Sequence, residues 1–393
     1  MAQPRAGSLF TGSFVFLSLA DLAYFTGAGM LVTATPLLVT DRLDGGDTAV
    51  GVAFGAFSVT TLVLRPWAGR WSDRWGRRRL MLAGTAAFAV LVLGHLLVTG
   101  LVGLVALRLL LGAAEALFFV AGFAMLADIA PAGRAGEALS YASLALFTGL
   151  ALGPPLAQAL LRWGGFPPVW WAAALLAGAA CLFVVRLPDT RSPPGPEDPT
   201  ARLLYRPALT PGAALLAGGA PAAGFLAFGV LYARDLGIER WSLVPFAYGG
   251  TVVVCRIAFA KLPDRLPPRR LAVASLGVAT LALVTLGVGR HPVGLAVAAI
   301  LLGLGTALLT PAIFALVFAR APATRRGSAA ATISIFIDLG LTGGPILVGL
   351  LAATVSVPTA FLTSALLPLT GALLLAASAR RGHRPAQPRQ GSS

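Results

Sequence analysis

Gly69-Arg70-Trp71-Ser72-Asp73-Arg74-Trp75-Gly76-Arg77-Arg78-Arg79-Leu80 is the stretch whose reading decides the fold. It holds five arginines and one aspartate in twelve residues, and the chain on both sides is almost purely apolar. Charge this dense is too costly to keep in hydrocarbon, so the stretch is expected to turn at a membrane surface. Its glycines are expected to let two helix ends come close and the chain reverse. Its aspartate can accept hydrogen bonds from a helix N-terminus or from an arginine.

The rest of the 393-residue chain supports a membrane setting. It is 57% hydrophobic and 11% charged, whereas an ordinary soluble domain carries about 25% charged residues. The net charge of +15 does not point to nucleic acid. The arginines sit at the ends of apolar segments, where the positive-inside rule puts them, and do not line one soluble face. Cys181 and Cys255 lie within apolar segments and have no metal-ligand spacing, so neither a metal nor a cofactor is expected. The first apolar run is not followed by a small-residue cleavage site and is read as a retained helix.

A helix needs about 20 mainly apolar residues to cross the hydrocarbon core. Twelve such helices fit, at 13–39, 49–68, 80–99, 102–126, 138–161, 168–186, 210–232, 242–261, 271–289, 293–318, 329–352 and 357–378. One set of alternate loops, with Arg5 and the tail, holds 22 Lys and Arg; the opposite loops hold only Arg42, Arg162, Arg234, Arg240 and Arg290. That asymmetry predicts both termini in the cytoplasm. The Pro-rich, charged connection 187–209 reads as a cytoplasmic linker. It separates an N-terminal six-helix bundle (1–186) from a C-terminal one (210–378), and a basic disordered tail is expected at 379–393.

The two halves repeat at an offset of 191 residues. Arg65-Pro-Trp-Ala-Gly-Arg-Trp-Ser-Asp73-Arg74 aligns with Arg256-Ile-Ala-Phe-Ala-Lys-Leu-Pro-Asp264-Arg265. In the same register Pro131-Ala-Gly-Arg134-Ala-Gly136 aligns with Pro322-Ala-Thr-Arg325-Arg-Gly327, and Gly149-x-x-x-Gly153-Pro154 with Gly340-x-x-x-Gly344-Pro345. The stretch 69–80 resembles the signature loop between helices 2 and 3 of the major facilitator superfamily, with Trp71 where that family usually has a smaller aliphatic residue. Two parallel six-helix repeats related about the membrane normal are that superfamily's arrangement. The expected fold is therefore an all-α membrane protein of twelve transmembrane helices in two pseudo-symmetric bundles.

Ionisable groups inside a membrane are costly and mark functional sites by default. They are Asp21 in helix 1, His95 in helix 3, Arg108 and Glu115 in helix 4, and Asp338 in helix 11. Arg65 and Arg256 lie close enough to the inner surface to snorkel. Arg108 and Glu115, seven residues apart, share one face of helix 4 at about 10 Å along the axis. Arg108-x-x-x-Gly112-x-x-x-Ala116 resembles the helix-4 motif of proton-coupled members of the superfamily. The resemblance implies that Asp21, Arg108 and Glu115 surround one cavity. Burial favours the neutral form of a carboxyl group and a nearby arginine favours its charged form, so a moving environment can load and unload a proton. The bland reading is a fixed ion pair joining helices 1 and 4. Phe25, Phe119, Tyr232 and Asp338 are candidate substrate contacts. His95 reads as structural or surface, and Trp170 and Trp171 as interface anchors.

The opening stretch supplies a candidate cytoplasmic gate. Related transporters pair the arginines of this loop with acids at the inner ends of helices 4 and 5. The resemblance points to Gly69, Asp73, Arg74, Gly76, Arg77 and Arg78 on one side, and to Asp128, Arg134 and Glu137 on the other. Gly149, Gly153 and Pro154 resemble the helix-5 motif of the superfamily's antiporters, although Ala157 and Gln158 follow where that motif continues with glycines. Together these features predict a secondary transporter of the inner membrane, exporting a drug-like or secondary-metabolite compound in exchange for protons. It is expected to sit in the lipid bilayer and to work as a monomer. Uptake or exchange of a sugar or other small metabolite is the alternative. An embedded enzyme would need a clustered catalytic set, and the three histidines, at 95, 291 and 383, are dispersed.

Overall fold

The computed structural model describes residues 10–131, 135–190, 205–259, 262, 266–322 and 325–381. Among them there is no strand. The first half contributes α1 (Gly12–Arg42), α2 (Asp47–Trp75), α3 (Arg77–Leu93), α4 (Leu101–Ile129), α5 (Ala135–Gly164) and α6 (Phe166–Val185). The second contributes α7 (Leu209–Asp235), α8 (Leu243–Ala258), α9 (Pro268–Val288), α10 (Pro292–Phe318) and α11 (Arg326–Thr354), and ends with α12 (Val357–Ser364) and α13 (Leu366–Arg381). Eleven spans among the described residues are long and apolar enough to cross a membrane, α12 and α13 together forming one of them.

The breaks have local causes. Proline lacks an N–H for the carbonyl four residues back. Pro368 therefore cannot bond Ser364, and the last span divides at Ala365. Helix α8 stops at Ala258, short of the expected 261, and with sixteen residues it is shorter than the eleven spans. The α2–α3 reversal is made by Gly76, which caps both helices at φ +95° and ψ 148°, a region open essentially to glycine alone. Gly69 has no neighbour within 4 Å of a would-be Cβ, so the close approach expected of it is absent from this conformation.

The packing repeats as the sequence does. In the first half α1 packs on α5 and α6, α4 on α2 and α3, and α3 on α6. In the second, α7 packs on α11 and α13, α10 on α8 and α9, and α9 on α12 and α13. The halves meet mainly along two seams, α2 against α11 and α5 against α8. Large apolar side chains such as Val90, Leu97, Val102, Leu175 and Leu182 stay exposed on the outside, as lipid-facing surface should.

Glycine sets the tightest crossings. A Cβ on Gly149 would stand 2.8 Å from the Leu22 carbonyl oxygen, and one on Gly153 would overlap the Gly29 backbone. In the second repeat a Cβ on Gly344 would overlap the Ala220 carbonyl. The Gly-x-x-x-Gly-Pro run thus brings α1 onto α5 and α7 onto α11 by the same device. Gly112 on α4 meets the Phe57 carbonyl of α2, and Gly303, its counterpart at offset 191, meets the Tyr248 carbonyl of α8.

Candidate functional site

The end of the molecule carrying residues 69–80 is here the loop end, and the opposite end the far end. At the far end the two halves are tied together. Arg234 of α7 donates to both carboxylate oxygens of Asp41 on α1, at 2.9 and 2.8 Å. The Gln158 amide of α5 donates to the Glu239 carbonyl at 2.6 Å and accepts from the Ser242 backbone N–H at 3.0 Å, and Arg162 donates to the same Glu239 carbonyl. Gly51 and Gly55 of α2 let that helix lie directly on Thr342, Pro345 and Ile346 of α11. This conformation is therefore closed between the halves at the far end.

Deeper along α4 the sequence-predicted residues separate into two levels. Arg108 is buried and donates from Nε to the Ala53 carbonyl at 3.1 Å. Its guanidinium lies 4.7 Å from the Phe57 ring centroid and 5.7 Å from that of Phe54. Backbone oxygen and ring faces thus satisfy its charge, and no ion pair with Glu115 is formed. Two turns on, Glu115 is buried with Oε2 lacking any hydrogen-bond partner. It stands one turn before Phe119, the ring that lies against Arg65. Asp21 is partly buried on α1, has no hydrogen bond or ion pair among the described residues, and does not join this cluster. The single cavity implied for Asp21, Arg108 and Glu115 is therefore not assembled in this conformation.

What the structure assembles instead lies on the α2–α11 seam. Arg65 does not snorkel; its guanidinium donates to Oδ1 of Asp338 at 2.8 Å and lies 5.4 Å from the centroid of Phe119 on α4. Asp338 is 1% exposed, and its Oδ2 has no partner. Thr61, one turn before Arg65, donates to the Gly112 carbonyl at 3.1 Å. Helices α2 and α4 run in the same direction, so that bond sets Arg65 at the depth of Glu115 and Phe119. Among the described residues the mirror seam shows no acid paired with its arginine. Arg256 donates to Ser143 Oγ at 3.1 Å and lies 4.4 Å from the centroid of Phe147, the residue that aligns with Asp338.

The stretch 69–80 forms a network of its own. Arg77 is 5% exposed and donates to Asp73, to Ser72 Oγ at 3.1 Å and to Asp128 Oδ2 at 3.3 Å. Its backbone N–H bonds the Thr190 carbonyl at 3.3 Å, and Arg78 donates to the Leu187 carbonyl at 3.2 Å. Thr190 in turn donates to Met125 Sδ at 3.3 Å. These bonds fasten the start of the linker beneath α3 and α4. Arg74 points to solvent, Arg134 lies outside the described residues, and so does the side chain of Glu137. Charge-assisted hydrogen bonds contribute about 1.5–3 kcal/mol each. Arg77→Ala is therefore expected to cost about 2–3 kcal/mol, whereas Arg79→Ala, whose pair with Asp189 is long at 3.9 Å and exposed, costs about 0–1 kcal/mol. Thermal melting in detergent reads this difference, and equal shifts for the two variants would contradict it.

Comparison with known proteins fits this geometry. The family model for the Major Facilitator Superfamily matches residues 17–292 and 242–393. The chain belongs to the Major Facilitator Superfamily. An uncharacterized MFS-type transporter of Pseudomonas aeruginosa is 34% identical over 390 residues, covering 94% of this chain and 95% of that one. Multidrug resistance protein 1 of Bacillus subtilis is 33% identical over 178 residues, 44% of each chain. Among solved structures, the nucleoside transporter NupG (D323A mutant) superposes with a TM-score of 0.76 at 14% identity, over 93% of this chain and 99% of that one. A bacterial homolog of the human lysosomal transporter Spinster, inward-facing and unoccupied, gives 0.74 at 13% identity, over 95% and 98%. At such identities these likenesses show the shared fold.

This superfamily member is thus a multi-pass membrane transporter and not an enzyme. Its remaining predicted contacts divide. Phe119 lies beside Arg65 and so borders the charged cluster, and Phe25 packs behind it at 6.2 Å between centroids. Tyr232 is buried toward the far end of α7 and donates to the Leu286 carbonyl at 3.2 Å, which ties it to α9. Trp170 is buried and stacks on His95 at 4.2 Å, while Trp171 stays exposed. His95 accordingly sits in a structural contact inside the first half. The residues to which sequence reasoning gave no site role are Arg65, read as snorkelling, and Gln158, read as a departure from a motif. The repeat gave a signal for Arg65, since it aligns with Arg256 at the offset of 191, both inside expected apolar spans.

Proposed function

We propose that this transporter exports a small amphipathic or largely apolar compound from the cytoplasm in exchange for protons, with Glu115 as the principal proton carrier and Asp21 as a second. The observation that carries this reading is the position of Glu115. Its Oε2 is buried without a partner, one turn before the ring that lies against Arg65, at the seam that rocking of the halves must open. A carboxyl group whose neighbours change between two conformations changes its proton affinity with them. The rings of Phe25 and Phe119 offer an apolar wall next to that group. The stretch of likeness to a protein named for multidrug resistance favours export over uptake. The arginine asymmetry supports a cytoplasmic loop end with both termini on that side, and the presence of both six-helix halves in one chain supports a monomer.

The test is transport in inside-out vesicles energised by a pH gradient. Uphill movement of a candidate compound is expected to stop when the gradient is collapsed. Asp21→Asn is expected to reduce it at least tenfold with unchanged membrane content of the protein. Accumulation that persists without the gradient would reject proton exchange, and normal accumulation by Asp21→Asn would remove that residue from the path.

A further inference from the structure

We propose that Arg65 exchanges partners during transport: it holds Asp338 of the opposite half when the far end is closed, and Glu115 of its own half when the far end is open. The inference rests on the rocking-bundle reading above, but not on protons being the coupling ion. Three facts carry it. Arg65 is a permanently charged group at mid-helix, so some acceptor must hold it in every conformation. Two buried carboxyl groups flank it: Asp338 is in contact at 2.8 Å, and Glu115 stands on α4 one turn before Phe119, whose ring lies against the guanidinium; each keeps one oxygen unpartnered, Oδ2 of Asp338 and Oε2 of Glu115. There is one arginine for two acids, and the acids belong to different halves.

Rigid packing decides which acid stays. Helices α2 and α4 are locked by the Thr61–Gly112 hydrogen bond and by the contact of Gly112 with the Phe57 carbonyl. Arg65, Glu115 and Phe119 therefore move as one body, whereas Asp338 travels with α11. Rocking that parts α2 from α11 breaks the 2.8 Å contact and leaves Glu115 as the acid nearest Arg65. The face of Phe119 lies under the guanidinium and can hold the cation while it swings. The mirror seam cannot do this. Arg256 faces Ser143 and Phe147, and the position matching Glu115 is Thr306. Exchange of charge is thus confined to one of the two seams.

The exchange is tested by spin-label distances across the far end, in full-length protein with Cys181 and Cys255 replaced, reconstituted in lipid. Asp338→Asn and Arg65→Gln are expected to raise the ratio of far-end-open to far-end-closed molecules at least tenfold. Glu115→Gln, which removes the competing acceptor, is expected to lower it. The double exchange Arg65→Asp with Asp338→Arg restores the closed state if the contact itself matters. An unchanged ratio in Asp338→Asn, or a shift of Glu115→Gln in the same direction as Asp338→Asn, would overturn the proposal. Loss of folding in one variant is recognised by its melting curve, and the remaining variants then decide. Because the readout is a distance, it separates failure of this exchange from failure of proton coupling, which the vesicle assay reports.

Discussion

Gly112→Val is expected to abolish the folded protein. A side chain at this position would run into the Phe57 carbonyl of α2, a backbone atom that cannot rotate aside. Overpacking a dense interior costs about 1–3 kcal/mol where neighbouring side chains can yield, and more where backbone must move. Here the obstructed contact also carries the Thr61–Gly112 hydrogen bond, so the substitution separates α2 from α4 along a main seam of the first half. The control lies on the same helix. Gly103 has nothing within 4 Å of a would-be Cβ, and Gly103→Ala should be neutral or up to about 1 kcal/mol stabilising through helix propensity. Yield of monodisperse protein in detergent and its melting temperature read both variants. A Gly112→Val protein that melts like the parent would mean that α2 and α4 are not in contact as described.

Glu115→Gln is expected to leave the protein folded and to remove uphill transport. Glutamine keeps the size of the side chain, but it cannot take up or release a proton. Gradient-driven accumulation should fall at least tenfold, while downhill flux of the same compound persists at a reduced rate and loses its dependence on the pH gradient. Asp338→Asn should behave differently, because Asp338 acts through Arg65: it should alter the balance of conformations before it alters coupling. If Glu115→Gln still accumulates compound against its gradient, Glu115 is not the carrier, and the buried Oε2 would need another explanation.

Much of the fold can be read in the chain because hydrocarbon imposes a simple demand. Each span must be apolar for about 20 residues and close its own backbone hydrogen bonds. The spans, the repeat at offset 191 and the charged turn follow from that. The helix-5 glycines were also legible, and the structure shows them making the same close crossing in both halves. The candidate site was legible only in part. Glu115 and Asp338 stand out as buried acids in apolar runs, but their partner does not. Arg65 lies ten residues before the end of α2, near enough to water that a long side chain could reach out. Nothing along the chain says that it turns inward. Arg108 shows the opposite case: the sequence suggests a shared cavity with Asp21 and Glu115 or a fixed ion pair joining helices 1 and 4, and the structure gives it a carbonyl and two ring faces.

The sequence by itself determined that this chain crosses the membrane repeatedly, in two related halves with a charged turn at 69–80, because hydrophobic length and charge placement act locally along each segment. Only the tertiary structure decided what that turn and those buried charges touch. It made Arg77 the centre of the turn, fastening Asp73, Asp128 and the start of the linker, and it set Arg65 against Asp338 across the seam. Such pairings depend on which helix faces lie against each other, and glycine close-packing between distant segments fixes that, which no single segment records.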